Sequence, residues 1–299
     1  MDSALTLRMA VDRGDVISPE QALSLLNRSA LVQTLTQSLV DKPLFYVWRL
    51  IALSELPFAR QLPYTQALID RVYDRLATPF GFSLSGDRSQ FLPCYNAMII
   101  TALCRLGEAN TDAVRQGVEW IITHQPMKRG VPVSAPGFRF DRFGGCFNDS
   151  PCYIGLAKSV FALLHYQRAT GDASVQEKLN EGTEYLLNHH LIYRLSTPTP
   201  ITNHILDLSF PESYHLNAVE LIRFVALANR MHDSRTEPLK QALLTKKNND
   251  HGWYCNFRYR GDGYVPFDQG RKSGAWVTYV IQQALASSLV NDGSASHAH

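Results

Sequence analysis

A carboxylate, a thiol and an imidazole lie near the starts of two predicted helices. Asp149 and Cys152 belong to one helix start, and His215 belongs to the next. We expect Ser150 to cap the first of these helices and Pro151 to occupy its first turn. Zinc prefers these three ligand types, and a catalytic zinc uses three protein ligands and keeps one position open. Asp149, Cys152 and His215 are therefore a candidate zinc site, in which a bound thiolate or water is the nucleophile.

The same residues also have an ordinary structural interpretation. Cys152 is then a buried small side chain, His215 an interior histidine and Asp149 a loop or capping residue. The five cysteines of the chain are odd in number and scattered. We expect them to be buried thiols or ligands rather than a disulfide framework.

Carboxylates near the junctions between loops and helices are candidates for acid–base chemistry. Glu220 lies within an apolar helical stretch, where a carboxylate needs a partner or stays protonated. Glu220 and Asp149 are therefore candidate catalytic groups, and an ordinary Glu220–Arg223 pair on one helix is the alternative. The other candidates are Tyr153, Tyr214, Asp207, Glu212 and Asp268. The sequence contains no nucleophile elbow, phosphate-binding loop or dinucleotide fingerprint.

Two kinds of side chain are candidates for binding a substrate. Arginines in loops that also carry aromatic residues bind phosphate or carboxylate groups well. They are Arg139, Arg142 and Arg271. Aromatic residues recur at the starts of the predicted inner helices, including Tyr46, Tyr95 and Trp276. Together they predict a hydrophobic small molecule with an anionic group, whereas solvated charges and ordinary core packing are the alternatives.

A repeat of helical hairpins positions these residues. The first helices of the later units begin near Cys94, Cys152, His215 and Trp276, about 60 residues apart. Within a unit the first helix is apolar on most faces, which is typical of a buried helix, and the second is amphipathic. This alternation predicts an all-α fold, an (α/α) barrel or toroid of about five to six hairpins. An open solenoid uses the same units but needs polar caps.

The predicted organisation is a single domain over residues 1–290. It consists of N-terminal helices over 1–41 and the repeats over 42–290, followed by a disordered tail at 291–299. Long loops precede the inner helices, and loops of this length are often functional. Because all of them enter at the same ends of the inner helices, we expect them to cluster on one face.

The repeats from Lys42 to Leu289 resemble the superfamily of terpenoid cyclases and protein prenyltransferases. The segment Asn249-Asp250-His251-Gly252-Trp253 is similar to the Asp-Gly-Gly-Trp turn of that superfamily, and the segment from Gly270 to Tyr279 resembles its closing helix. The sequence lacks both the Asp-x-Asp-Asp acid motif of the squalene-type cyclases and the aspartate-rich magnesium motif.

The resemblance implies an enzyme that binds an isoprenoid-like or polycyclic substrate in a central aromatic-lined cavity. It also implies zinc at Asp149, Cys152 and His215, since prenyltransferases use this ligand set; their aspartate precedes the cysteine by two residues and here it precedes it by three. Two other functions remain open. One is a non-catalytic module that binds a lipid or a peptide, and the other is a hydrolase or lyase that uses carboxylates.

Composition narrows the choice of partners. The formal charge of +2 does not indicate nucleic acid as a partner. The sequence contains no run of 18 apolar residues, so integral membrane association is not expected. The first 17 residues do not resemble a signal peptide. A cytoplasmic protein is the expectation.

Overall fold

The computed structural model describes residues 1–131, 135–138, 151–268, 270 and 272–290. These residues are mainly helical, which confirms the all-α prediction. The helices are α1 (Ser3–Asp12), α2 (Pro19–Arg28), α3 (Ala30–Leu35), α4 (Pro43–Ser54), α5 (Pro63–Leu76), α6 (Pro93–Arg105), α7 (Asp112–His124), α8 (Tyr153–Thr170), α9 (Gln176–Asn188), α10 (Ala218–Leu227), α11 (Glu237–Leu244) and α12 (Ala275–Val290). Two short strands, β1 (Ala77–Thr78) and β2 (Gly81–Phe82), form an antiparallel ribbon between α5 and α6.

Local signals set several of these helix starts. Ser18 caps α2 in a capping box with Gln21, and Ser29 caps α3 by accepting a hydrogen bond from the backbone N–H of Val32. The predicted N-terminal helical region therefore contains separate helices, with the break between α2 and α3 at Ser29. A proline occupies the first turn of α2, α4, α5 and α6, where its missing N–H costs no helical hydrogen bond.

The predicted starts of two later helices are wrong. Helix α8 begins at Tyr153 rather than at Pro151, because Cys152 keeps a non-helical conformation as its N-cap residue. The predicted cap Ser150 lies outside the described residues. Helix α10 begins at Ala218 rather than near His215, because the side chain of Asn217 accepts hydrogen bonds from the backbone N–H groups of the first turn.

The chain divides into two compact units. The first comprises Met1–Gly182 and Arg260–Val265. In this unit α4, α6 and α8 are neighbours; α4 and α6 bury nearly every side chain and α8 buries most of its own, whereas α5 and α7 bury one face each. The predicted alternation of buried and amphipathic helices is confirmed there, and their closure into an (α/α) barrel stays a prediction. Buried Asn96 joins two elements, since it accepts a hydrogen bond from Phe82 N (2.9 Å) and donates one to Gly117 O (3.2 Å).

The second unit comprises Thr183–Tyr259 and the chain from Pro266 onward. Helix α10 packs against α12 and, less extensively, against α11. A long segment without regular helix precedes α10, and another connects α11 to α12. The arrangement of all residues as a single domain stays a prediction, and the predicted tail at 291–299 lies outside the described residues.

Candidate functional site

A histidine–aspartate pair lies in the long segment before α10. The Nδ1 atom of His204 is 2.7 Å from Oδ2 of Asp207. The backbone of His204 adopts the left-handed conformation (φ 66°), which is unusual for a residue other than glycine and occurs often at functional sites. About a third of the His204 side chain and a quarter of the Asp207 side chain are exposed. The pair is therefore ordered but accessible.

A second loop holds the carboxylate in place. Asn256 donates a hydrogen bond of 2.6 Å to Oδ1 of Asp207. The same amide accepts a hydrogen bond of 2.7 Å from the backbone N–H of Leu208, and Phe257 N donates to Leu208 O at 3.3 Å. Both carboxylate oxygens of Asp207 thus have a partner, and the segment around 256 is joined to the segment around 207.

Aromatic rings hold the imidazole of His204. The ring of Phe257 lies 4.1 Å from it and that of His215 lies 4.6 Å from it, measured between centroids. His215 also contacts Phe257 and Tyr259. Ring contacts of this kind restrict the rotation of the imidazole and fix the direction of its second nitrogen.

The pairing assigns a tautomer to His204. An ionised carboxylate only accepts hydrogen bonds, so the neutral imidazole carries its proton on Nδ1 and donates it to Asp207. Nε2 then has a free lone pair and is able to remove a proton from a substrate or from water. Asp207 orients the ring and stabilises the imidazolium that forms. This arrangement is suited to general acid–base catalysis.

A polar pocket of about 290 Å³ is lined by residues next to the pair in the hydrogen-bond network, although neither His204 nor Asp207 lines it. Two of its lining residues, Leu208 and Asn256, are those that hold Asp207. The others come from the end of α11 and from the turn that follows, namely Thr245, Lys246, Lys247, Asn248 and Tyr254.

The thiols of buried Cys104 and half-buried Cys255 are poor nucleophiles. Burial raises the pKa of Cys255 to about 12 and that of Cys104 to about 12. A thiol with such a pKa is almost entirely protonated near neutrality. None of the four described cysteines, Cys94, Cys104, Cys152 and Cys255, forms a disulfide.

Asp268 has a structural role. Its carboxylate accepts hydrogen bonds from the backbone N–H groups of Trp276 (3.1 Å) and Val277 (2.7 Å) in the first turn of α12. Asp268 therefore caps the N-terminus of α12. Burial raises the pKa of Asp268 by more than these hydrogen bonds lower it.

Several predicted residues lie outside the described part of the chain: Asp149, Arg139, Arg142 and Arg271. Among the described residues, no three His, Cys, Asp or Glu side chains form a group that would hold a metal ion. Cys152 is half-buried at the start of α8, and His215 belongs to the aromatic surroundings of His204. The zinc site therefore stays a prediction.

The remaining predicted catalytic residues occupy different environments. Glu220 is buried in the first turn of α10, and the guanidinium of Arg223 lies 5.2 Å from the ring of Phe210. Tyr153 is buried on α8, and Tyr214 contacts the ring of His215. Tyr214 is thus linked to the histidine–aspartate pair through the ring of His215.

The predicted aromatic lining is mostly buried. Tyr46 and Tyr95 lie on α4 and α6, and Trp276 packs against Phe210 and Phe267. Trp48 contacts both Tyr95 and Tyr264, with ring centroids 6.1 and 6.3 Å apart. These contacts join the beginnings of α4 and α6 within the first unit.

Sequence reasoning missed two residues of the site. It selected Asp207 and His215 but neither His204 nor Asn256. The only local signal for His204 is a histidine three residues before an aspartate in a long loop. Asn256 lies 49 residues from its partner Asp207, and no local pattern indicates that contact.

No protein-family model matches the chain, and no curated protein or solved structure matches it either. Among the described helices, none is long and apolar enough to cross a membrane.

Proposed function

We propose that this protein is an enzyme of the acid–base type, a hydrolase or lyase, with His204 as its catalytic base. The observation that supports this function is the hydrogen bond of 2.7 Å between His204 and Asp207, whose other oxygen is held by Asn256. A polar pocket lined by Asn256, which holds Asp207, provides room for part of a substrate.

The chemistry follows from the tautomer. Nε2 of His204 takes a proton from a water molecule or from a carbon acid of the substrate. The imidazolium is stabilised by Asp207 and returns the proton to the leaving group, so His204 ends each cycle neutral. Asp207 and Asn256 are positioning residues, because they act through His204. A general acid–base group such as His204 typically accelerates a reaction on the order of 10²–10⁴-fold.

The test is a turnover screen with matched variants. The purified protein is assayed on chromogenic carboxyl esters, phosphate esters and 2-hydroxy acids that can eliminate water. We expect turnover of at least one class, lost in His204→Gln and Asp207→Asn and retained in His232→Gln, which changes an exposed histidine elsewhere in the second unit. No turnover of any class, or turnover that His204→Gln leaves unchanged, contradicts the proposal.

A second candidate is the terpenoid-cyclase-like or prenyltransferase-like enzyme that the sequence resembles, with the helices closed into a double ring around an apolar substrate. The aromatic cluster of Trp48, Tyr95 and Tyr264 favours it, since such rings suit flat or cationic apolar groups. A non-catalytic lipid-binding module would use the same rings.

Two measurements test this second candidate. Native mass spectrometry of the purified protein should show a bound apolar molecule, and its absence counts against both apolar functions. Metal analysis should give about one zinc per chain, lost in Cys152→Ala. No zinc in the wild-type protein contradicts the zinc prediction.

A further inference from the structure

We propose that the pocket beside Asn256 binds an anionic group of the substrate, either a carboxylate or a phosphate. The catalytic meaning of this site rests on the proposed function of His204, but binding of the anion is measurable without it.

The turn after α11 is a fixed frame for this pocket. Asn248 N donates to Gly252 O (2.8 Å), and His251 N donates to Asn248 O (2.9 Å) with His251 in the left-handed conformation. The carboxylate of Asp250 accepts hydrogen bonds from the Ser273 hydroxyl (2.6 Å) and from Gly252 N (3.1 Å). These bonds lower the pKa of Asp250, so the carboxylate stays ionised and the turn stays closed near neutrality.

Trp253 anchors the same turn in the core. Its Nε1 donates to Leu243 O (2.8 Å), and its backbone N–H donates to the hydroxyl of Thr278 (2.9 Å). The indole is fully buried. Lys246 and Lys247 precede this anchor and Tyr254 follows it, so both sides of the turn contribute to the pocket wall.

The charge of the pocket is positive. Within the described part of the chain, neither Lys246 nor Lys247 forms an ion pair. On the same helix, by contrast, Lys240 pairs with Glu237 at 2.8 Å. Lysines after a helix end also interact favourably with the last carbonyl groups, which requires no cavity. Here Lys246 and Lys247 line a pocket together with a tyrosine and two asparagines, whose polar groups are suitable donors for an anion. The ammonium of Lys247 lies 5.4 Å from the centre of the Trp253 ring, which holds it at this turn.

The position of the pocket links it to the chemistry. Asn256 lines the pocket and donates a hydrogen bond to Asp207, so a bound anion lies one side chain away from the histidine–aspartate pair. A volume of about 290 Å³ is at the lower limit of small-molecule sites and suits an anionic group with a short attachment.

Binding is tested with inorganic phosphate and with acetate as separate probes, by amide NMR titration of the full chain. We expect one probe to shift the signals of residues 245–256 in a saturable manner. The variant Lys246→Gln/Lys247→Gln should weaken that binding about tenfold or more. Lys42→Gln, which removes an exposed cation of the first unit, should leave it unchanged, and thermal unfolding confirms that each variant is folded. The probe that binds more tightly identifies the group as phosphate or carboxylate.

No saturable shift with either probe overturns the proposal, and so does binding that is unaffected by the double lysine change. His204→Gln separates the two proposals. It should abolish turnover and preserve anion binding. If the anion binds but His204→Gln leaves turnover intact, the anion site stands and the proposed function fails.

Discussion

Asn256 and Asp207 are 49 residues apart in the chain and are joined by a hydrogen bond of 2.6 Å. This bond connects the loop that carries His204 to the loop that lines the cationic pocket. Since His204 holds the other oxygen of the carboxylate, the geometry of the whole site depends on this contact.

The first prediction concerns the orientation of His204. Asp207→Asn removes the acceptor that holds the Nδ1–H tautomer, because an amide can present its NH₂ group to the ring. We expect kcat to fall on the order of 10²–10⁴-fold with little change in KM, since Asp207 contacts the histidine rather than the substrate.

Asn256→Ala should have a smaller effect on kcat, roughly 10–100-fold, because Asp207 keeps its bond to His204 but loses its support. Asn249→Ala, at an exposed position in the turn after α11, is the matched control and should behave as wild type. Equal kinetics for Asn256→Ala and Asn249→Ala would exclude a positioning role for Asn256.

The second prediction is a pH dependence of stability at Asp268. Burial raises its folded-state pKa above the ordinary value of 3.8. A group with a raised folded pKa contributes stability that is fully present below the unfolded pKa and is lost as the pH rises through the folded pKa. The free energy of unfolding of wild type, relative to Asp268→Asn, should therefore decrease between pH 4 and pH 7.5 in urea titrations.

Asp262 provides the opposite control. A hydrogen bond and ion pair with Lys42 lower its pKa, so its contribution is almost complete by pH 4.5. The difference between wild type and Asp262→Asn should then be nearly constant from pH 4.5 to 7.5. A decrease of the same size at both positions would refute the assignment to Asp268.

The third prediction concerns Gly117 of α7. Alanine normally stabilises a helix by about 1 kcal/mol relative to glycine. A Cβ at Gly117 would lie 2.7 Å from Cδ1 of Ile100, 2.8 Å from Oδ1 of Asn96 and 3.2 Å from the Cα of Gly81. We therefore expect Gly117→Ala to destabilise the protein by about 1–3 kcal/mol.

Gln116→Ala, at the exposed neighbouring position of α7, should be neutral or slightly stabilising in the same thermal unfolding experiment. If Gly117→Ala raises the melting temperature, the contact between α7 and the β1–β2 ribbon is weaker than the structure indicates.

The fourth prediction is an order of thiol reactivity. Because burial raises the pKa of Cys104 and of Cys255 to about 12, both should resist alkylation by iodoacetamide at pH 8. Cys152, which is half-buried at the start of α8, should react before them. Peptide mass spectrometry after short labelling distinguishes the sites, and early modification of Cys255 would contradict its protonated state.

Much of the fold was predictable because its signals are local. Ser18 and Pro19 indicate a helix start within four residues, and the apolar stretches of α4 and α6 indicate buried helices regardless of what surrounds them. The start of α10 was missed because a single side chain, Asn217, ends the preceding loop with a cap, whereas the apolar pattern begins earlier.

The site was predictable only in part. Asp207 and His215 stand out as polar residues near a helix start, but their roles depend on His204 and Asn256, whose contacts form only in the folded chain. Asp268 shows the reverse case. Its position near a helix start suggested acid–base chemistry. In the structure its carboxylate instead accepts hydrogen bonds from backbone N–H groups of α12.

The central claim is that Asp207 holds His204 with a proton on Nδ1 and a bare Nε2. Long-range ¹H–¹⁵N NMR of the histidine rings measures this directly at pH 8, where an imidazole is ordinarily neutral. The account predicts the Nδ1–H tautomer for His204 in wild type and its loss in Asp207→Asn, with the exposed His232 unchanged in both. An Nε2–H tautomer for His204 in wild type, or a tautomer that Asp207→Asn does not alter, would contradict it.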